Sequence, residues 1–110
     1  MAGVNWQIQI VALKALDDLG NGNNADLIAA IDYAANTNLH IRLTSNSWGG
    51  GPPSIAMRNA IQRAGNNGQL FICAAGNDTL DIDFIPVNPA SLNLSNQITV
   101  ASISPFGTLS

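Results

Sequence analysis

Asn77 stands where an apolar run stops. Leu70-Phe71-Ile72-Cys73-Ala74-Ala75 carries the load of a buried strand up to Gly76, and a carboxamide side chain then follows. A carboxamide is a neutral group with two N–H donors. At the end of a buried strand it is placed to donate a hydrogen bond. The plainer reading is an asparagine that tolerates left-handed backbone in a turn. A second unusual stretch, Ser45-Asn46-Ser47-Trp48-Gly49-Gly50-Gly51-Pro52-Pro53, also follows an apolar run, and its glycines and prolines predict a loop. Asp78, Asp81 and Asp83 offer oxygens of the kind calcium takes. Their spacing is not that of an EF-hand and no closing Glu follows, so a solvated loop is the simpler account and no cofactor is required. His40 lies within Leu39-His40-Ile41-Arg42-Leu43 and reads as a structural histidine in a strand. Cys73, inside its apolar run, reads as a small packing residue. One histidine and one cysteine make neither a metal cluster nor an intrachain disulfide.

The elements that would position these residues can be read from periodicity. Gln7 to Leu13 is apolar and rich in β-branched residues, which predicts a buried strand. Gly20-Asn21-Gly22-Asn23 breaks the chain. Asn24 is placed to cap a helix whose apolar positions Leu27, Ile28, Ile31, Ala34 and Ala35 recur at helical spacing, with Asp26 in its first turn. Asn36 to Asn38 ends it, and Leu39 to Leu43 predicts the next strand. Ser54 is placed to cap a second helix bearing Ile55, Met57, Ala60, Ile61 and Ala64, closed by Gly65-Asn66-Asn67-Gly68. Strands are predicted again at Gln69 to Ala75 and Gln97 to Ala101. Strands alternating with helices predict βαβ units and a mainly parallel α/β sheet. Such sheets bind ligands at the carboxyl ends of their strands, where both unusual loops begin.

Length and charge narrow the function. The 110 residues allow one domain, 46% of them hydrophobic and only 10% charged, so elements buried on more than one side are expected. A net charge of −3 with four basic residues leaves no stripe for a phosphate backbone, so no nucleic-acid partner is expected. No apolar run reaches the roughly 18 residues of a membrane span, and Met1-Ala2-Gly3-Val4 lacks the basic start and apolar core of a signal peptide. No membrane partner is expected either.

The loop Asn46-Ser47-Trp48-Gly49-Gly50 after one strand and Ala74-Ala75-Gly76-Asn77 after the next resemble the subtilisin-like serine proteases. The order of pieces is also similar to that family: ALKALDDLGNG, AIDYA, NSWGG, AAGND, PVNPAS and ITVAS, from about Gly3 to about Ser102. The resemblance implies a three-layer subtilisin-like fold, a parallel sheet with helices on both faces, present here as an incomplete domain over residues 1–110. It implies that Asn77 is the oxyanion-hole donor. It also implies that Ser47, Trp48 and Gly49 form one wall of the substrate pocket, with Ala74, Ala75 and Gly76 opposite. Small residues suit such walls because a peptide must approach the backbone closely. Pro86 to Ser91 resembles the segment beyond the pocket that in some relatives helps hold a cation, but Asn88 and Leu92 replace the aromatics usual there.

The departure from the family is an absence. Neither the catalytic histidine signature nor that of the serine occurs, and Gly107-Thr108-Leu109-Ser110 only echoes the latter. The chain resembles the internal stretch between those two residues, so the implied partners are a peptide or protein substrate and the remainder of the parent peptidase domain. A catalytically inactive scaffold or peptide-binding relative is one alternative. A small flavodoxin-type binding domain is another, disfavoured because Lys14-Ala15-Leu16-Asp17-Asp18 stands where a phosphate loop would be. In the family an upstream strand lies between the strands flanking the first helix, and it is missing here. An open slot beside Gln7 to Leu13 and Leu39 to Leu43 is therefore expected. It would leave the isolated chain marginal, prone to aggregate, or able to recruit a strand from a second copy.

Overall fold

The computed structural model describes residues 3–109. The signal-peptide reading at Met1-Ala2 and the Ser110 end of the Gly107–Ser110 echo lie outside them. Helix α1 spans Asn24–Ala34 and helix α2 Ile55–Asn66, while strands β1 (Leu43–Asn46), β2 (Leu70–Ala74) and β3 (Gln97–Val100) form a sheet in the order β1-β2-β3. Both pairings are parallel, with Leu43 opposite Leu70, Asn46 opposite Cys73 and Ala74 opposite Val100. This is an incomplete α/β fold of the expected class.

Capping chemistry sets the helix starts. Asn23, one residue earlier than the sequence suggested, caps α1. Its side-chain oxygen accepts from Asp26 N at 2.9 Å, and its Nδ2 donates back to Asp26 Oδ2 at 2.6 Å. Ser54 caps α2 as expected, its Oγ accepting from Met57 N. Met57, Ala60, Ile61 and Ala64 recur at three- and four-residue spacing and are all buried, as are Leu27 and Ile31 of α1. With Phe71 and Cys73 of β2 and Ala90 they make one core.

The sheet is two-sided in character. Phe71 and Cys73 are buried beneath the helices, whereas Leu43, Leu70, Ile98 and Val100, pointing the other way along the pleat, are about half exposed. Polar side chains then tie the layers together. Gln69, 3% exposed, donates from Nε2 to Ala34 O at 2.9 Å and to Ile41 O at 3.1 Å, which satisfies an otherwise unpaired carbonyl at the end of α1. Asn46 reaches Ile72 O from β1 to β2. Gln97 Nε2 and Thr99 Oγ1 donate to Ala90 O, pinning the short 3₁₀ turn Ala90–Leu92 over β3.

Two expected strands differ. Leu39 to Leu43 is not a strand, because Thr37–Leu39 forms a 3₁₀ turn opened by the Asn36 side chain accepting from Asn38 N, and His40 closes it in left-handed backbone at φ 54°. The strand begins only at Leu43, so Ser45 and Asn46, read from sequence as loop, belong to β1. Gln7 to Leu13 is not buried and joins no ladder. Its side chains are exposed and β1 is hydrogen-bonded only to β2. A strand exists through its neighbour, and among the described residues this run has none.

Candidate functional site

The carboxyl ends of β1 and β2 lie side by side, since Asn46 pairs with Cys73, and Ser47 and Ala74 follow these two residues directly. Beyond that level the two chains part. The β2 extension stays with β3, Ala75 N donating to Val100 O at 2.9 Å. The β1 extension turns to the 86–91 segment, where Gly50 N donates to Asn88 O at 2.8 Å. Gly49 suits this crossing, because a Cβ there would stand 3.1 Å from Asn88 O, a tight approach. Gly76, two residues past the end of β2, has φ 112°, a conformation L residues rarely adopt, and the chain bends directly after it. Asn77 follows on the exposed side of that corner.

A cleft of about 370 Å³ opens on the β1 side of this crossing. Trp48, Gly49, Gly50 and Gly51 form one wall, Leu16 and the turn from Gly20 to Gly22 another. Met57, Asn88, Pro89 and Leu92 close it. Its size falls within the roughly 300–1,000 Å³ of small-ligand pockets. Trp48 is half-buried and packs edge-on against Phe71 at 6.1 Å between ring centroids and 79° between planes. The core thereby fixes the ring that lines the cleft.

The opposite turn is held by Asp17. Its Oδ1 accepts from Leu19 N at 2.9 Å and Asn21 N at 2.8 Å, and its own N–H donates to Asn21 O. These amides, that of Asn21 first, hold the carboxyl below its ordinary value of 3.8. Gly22 is placed against Leu16, where a Cβ would meet Leu16 Cδ2 at 2.6 Å.

Of the residues singled out from sequence, Trp48 and Gly49 line the large cleft. Ala75 and Gly76 line a separate hollow of about 30 Å³ with Val87, Ala101 and Leu109. Ser47, Ala74 and Asn77 are exposed at the same end of the sheet. Asp81 is engaged in its own turn, its Oδ1 accepting from Asp83 N. Among the described residues no group of three His, Cys, Asp or Glu side chains comes together to hold a metal ion. The wall from Leu16 to Gly22 was missed from sequence, where its glycines read only as a chain break. The signal present was Asp17 placed two and four residues before the amides it accepts.

The sequence profile of the subtilase family matches residues 1–110. A subtilisin-like protease 2 of Pseudogymnoascus destructans is 30% identical over 106 residues, covering 96% of this chain and 26% of that protein. A thermophilic serine proteinase of Bacillus sp. strain AK1 is 31% identical over 112 residues, covering 98% of this chain and 27% of its own length. Among solved structures, sphericase superposes with a TM-score of 0.67 at 29% identity, over 86% of this chain and 32% of that one. The chain thus spans about a quarter of the length of these curated relatives.

Proposed function

This chain belongs to the subtilase family, and we propose on that premise that it is the part of a subtilisin-type serine endopeptidase that holds the substrate and stabilises the oxyanion. Asn77 is the proposed donor. When a serine attacks a peptide carbonyl, the oxygen gains negative charge, and an amide N–H fixed in advance near that oxygen lowers the barrier without reorganising. The observation that carries this reading is the exposed Asn77 after Gly76 at φ 112°, three residues past the end of β2, at the same end of the sheet where the neighbouring β1 leads to Ser47-Trp48-Gly49. In the proposal the substrate backbone runs along Ser47 to Gly49 as an added strand, with Ala74, Ala75 and Gly76 on the far side. The adjacent cleft beside Trp48 takes one of its apolar side chains.

The nucleophile and general base come from the rest of the parent domain. Alone, the chain is predicted to cut no peptide, since oxyanion stabilisation is a small part of the full rate enhancement. The test is a pair of measurements. The isolated chain is expected to show no amidase activity and no saturable labelling by a serine-directed phosphonate. A chimera in which it replaces the matching stretch of the Bacillus sp. AK1 proteinase is expected to hydrolyse peptides. A folded but inert chimera, or single-site labelling of the isolated chain, would contradict the reading.

A further inference from the structure

Two Asn-Gly pairs occur in the sequence, Asn21-Gly22 and Asn67-Gly68. Such a pair carries a reaction of its own. The backbone nitrogen of the glycine attacks Cγ of the asparagine side chain, and with no Cβ on the glycine nothing obstructs the approach. A C–N bond forms, the bond from Cγ to the side-chain nitrogen breaks, and ammonia leaves with the proton of the glycine N–H. Water then opens the cyclic imide at either carbonyl, giving aspartate or isoaspartate. The reaction needs a glycine N–H free to lose its proton and a carboxamide free to swing onto that nitrogen. The fold treats the two pairs differently. Behind α2, Gly68 N donates to Gly65 O at 2.9 Å and Asn67 Nδ2 donates to Ala35 O at 3.0 Å, so the attacking nitrogen and the departing amide are both held. At the other pair they are not. Gly22 N makes no hydrogen bond among the described residues, Asn21 and Gly22 are both exposed, and the Asn21 carboxamide faces the exposed carboxylate of Asp17. A contact to a solvated charge competes with water and restrains little.

We infer that Asn21-Gly22 is a site of self-modification, and that its conversion to isoaspartate dismantles the turn that walls the Trp48 cleft. Isoaspartate inserts an extra carbon into the main chain between residue 21 and Gly22. Gly22 has no room to take it up, for even a Cβ there would stand 2.6 Å from Leu16 Cδ2 and 3.0 Å from Ala15 O. The same step turns the Asn21 carbonyl, which accepts from Asp17 N at 2.8 Å, into a carboxylate. That charge arises beside the Asp17 carboxylate, which itself accepts from Asn21 N at 2.8 Å, and like charges so placed repel. Leu16, Gly20, Asn21 and Gly22 form one side of the cleft, so the wall shifts as the pair converts. Solvent water is the only co-reactant, and ammonia is the only product released.

The inference is independent of the proteolytic reading, and its test measures no activity. The full chain is aged in mildly alkaline buffer, as is the Bacillus sp. AK1 chimera with its serine blocked by the phosphonate, where the rest of a peptidase domain is present. Peptide mapping by mass spectrometry follows the amide-to-acid conversion at each asparagine, and methyl transfer by an isoaspartyl methyltransferase marks the isoaspartate. In both proteins Asn21 is expected to convert at least about tenfold faster than Asn67, because two hydrogen bonds at Asn67-Gly68 must break before the ring closes. In concentrated urea the two rates are expected to converge, since the pairs are then alike. Asn21→Gln, whose longer side chain closes a ring far more slowly, should remove the fast conversion and leave that of Asn67. In the aged chain the Leu19 and Asn21 amide resonances are expected to leave their original positions while those of β2 stay. Equal rates at the two pairs in the absence of urea, or a fast site at another asparagine instead, overturn the inference. So does conversion of Asn21 that leaves the Leu19 resonance in place.

Discussion

Gly65 lies in the last turn of α2 with Asn96 packed directly over it. A Cβ at residue 65 would meet Asn96 Cγ at 2.5 Å and Asn96 Cβ at 2.9 Å. Asn96 Nδ2 donates to Ile61 O and Gln69 O, so its side chain joins the end of α2 to the start of β2. Gly65→Ala sets two effects against each other. Alanine favours an interior helical position by about 1 kcal/mol. Displacing Asn96 loses two hydrogen bonds to partly buried carbonyls at about 1 kcal/mol each and adds strain, because the clash reaches Cβ and no rotamer relieves it. The loss wins. Urea unfolding of Gly65→Ala is expected to show a net destabilisation of about 1–2 kcal/mol, and a midpoint at or above that of the wild type would show that Asn96 moves aside freely.

At the level of elements, the turn that walls the cleft depends on one carboxylate. Asp17 has its pKa lowered by amide donors, so its contribution is present above the unfolded value near 3.8 and is lost as pH falls through the lower folded value. The Leu19 and Asn21 amide resonances are expected to titrate together with a midpoint below 3.8, and Asp17→Asn to abolish the transition. A midpoint at or above 3.8 would mean that the turn is held by something else. Which elements were legible follows from what makes each one form. The helices were, because their caps and apolar spacing are local. β1 was placed early because Leu39 to Leu43 alternates like a strand, while the Asn36 side chain and the left-handed His40 close a turn there and the register with Leu70 sets the true start. Gln7 to Leu13 has the composition of a strand and lacks the neighbour that would make it one. The loops after β1 and β2 were legible because glycine follows each apolar run. The cleft was not, since Leu16, Trp48, Met57 and Leu92 converge only in the folded chain.

At the scale of the whole molecule, the structure has a core on one side of its sheet and an open apolar face on the other, in a chain about a quarter as long as its curated relatives. A sheet edge, a bare face and a strand run without a partner fit a body completed by further polypeptide. In that completed body, the proposal is that this chain carries the electrostatic half of a hydrolytic site and that the covalent half lies elsewhere. The central claim is the role of Asn77, and the direct measurement is steady-state hydrolysis of a peptide substrate by the Bacillus sp. AK1 chimera with and without Asn77→Ala. A donor that acts on the developing oxyanion lowers kcat and leaves KM nearly unchanged. The expected loss is about 10²- to 10³-fold, the magnitude known from the oxyanion asparagine of subtilisin itself. An unchanged kcat, or a loss confined to KM, would contradict the account and return Asn77 to the role of a turn residue.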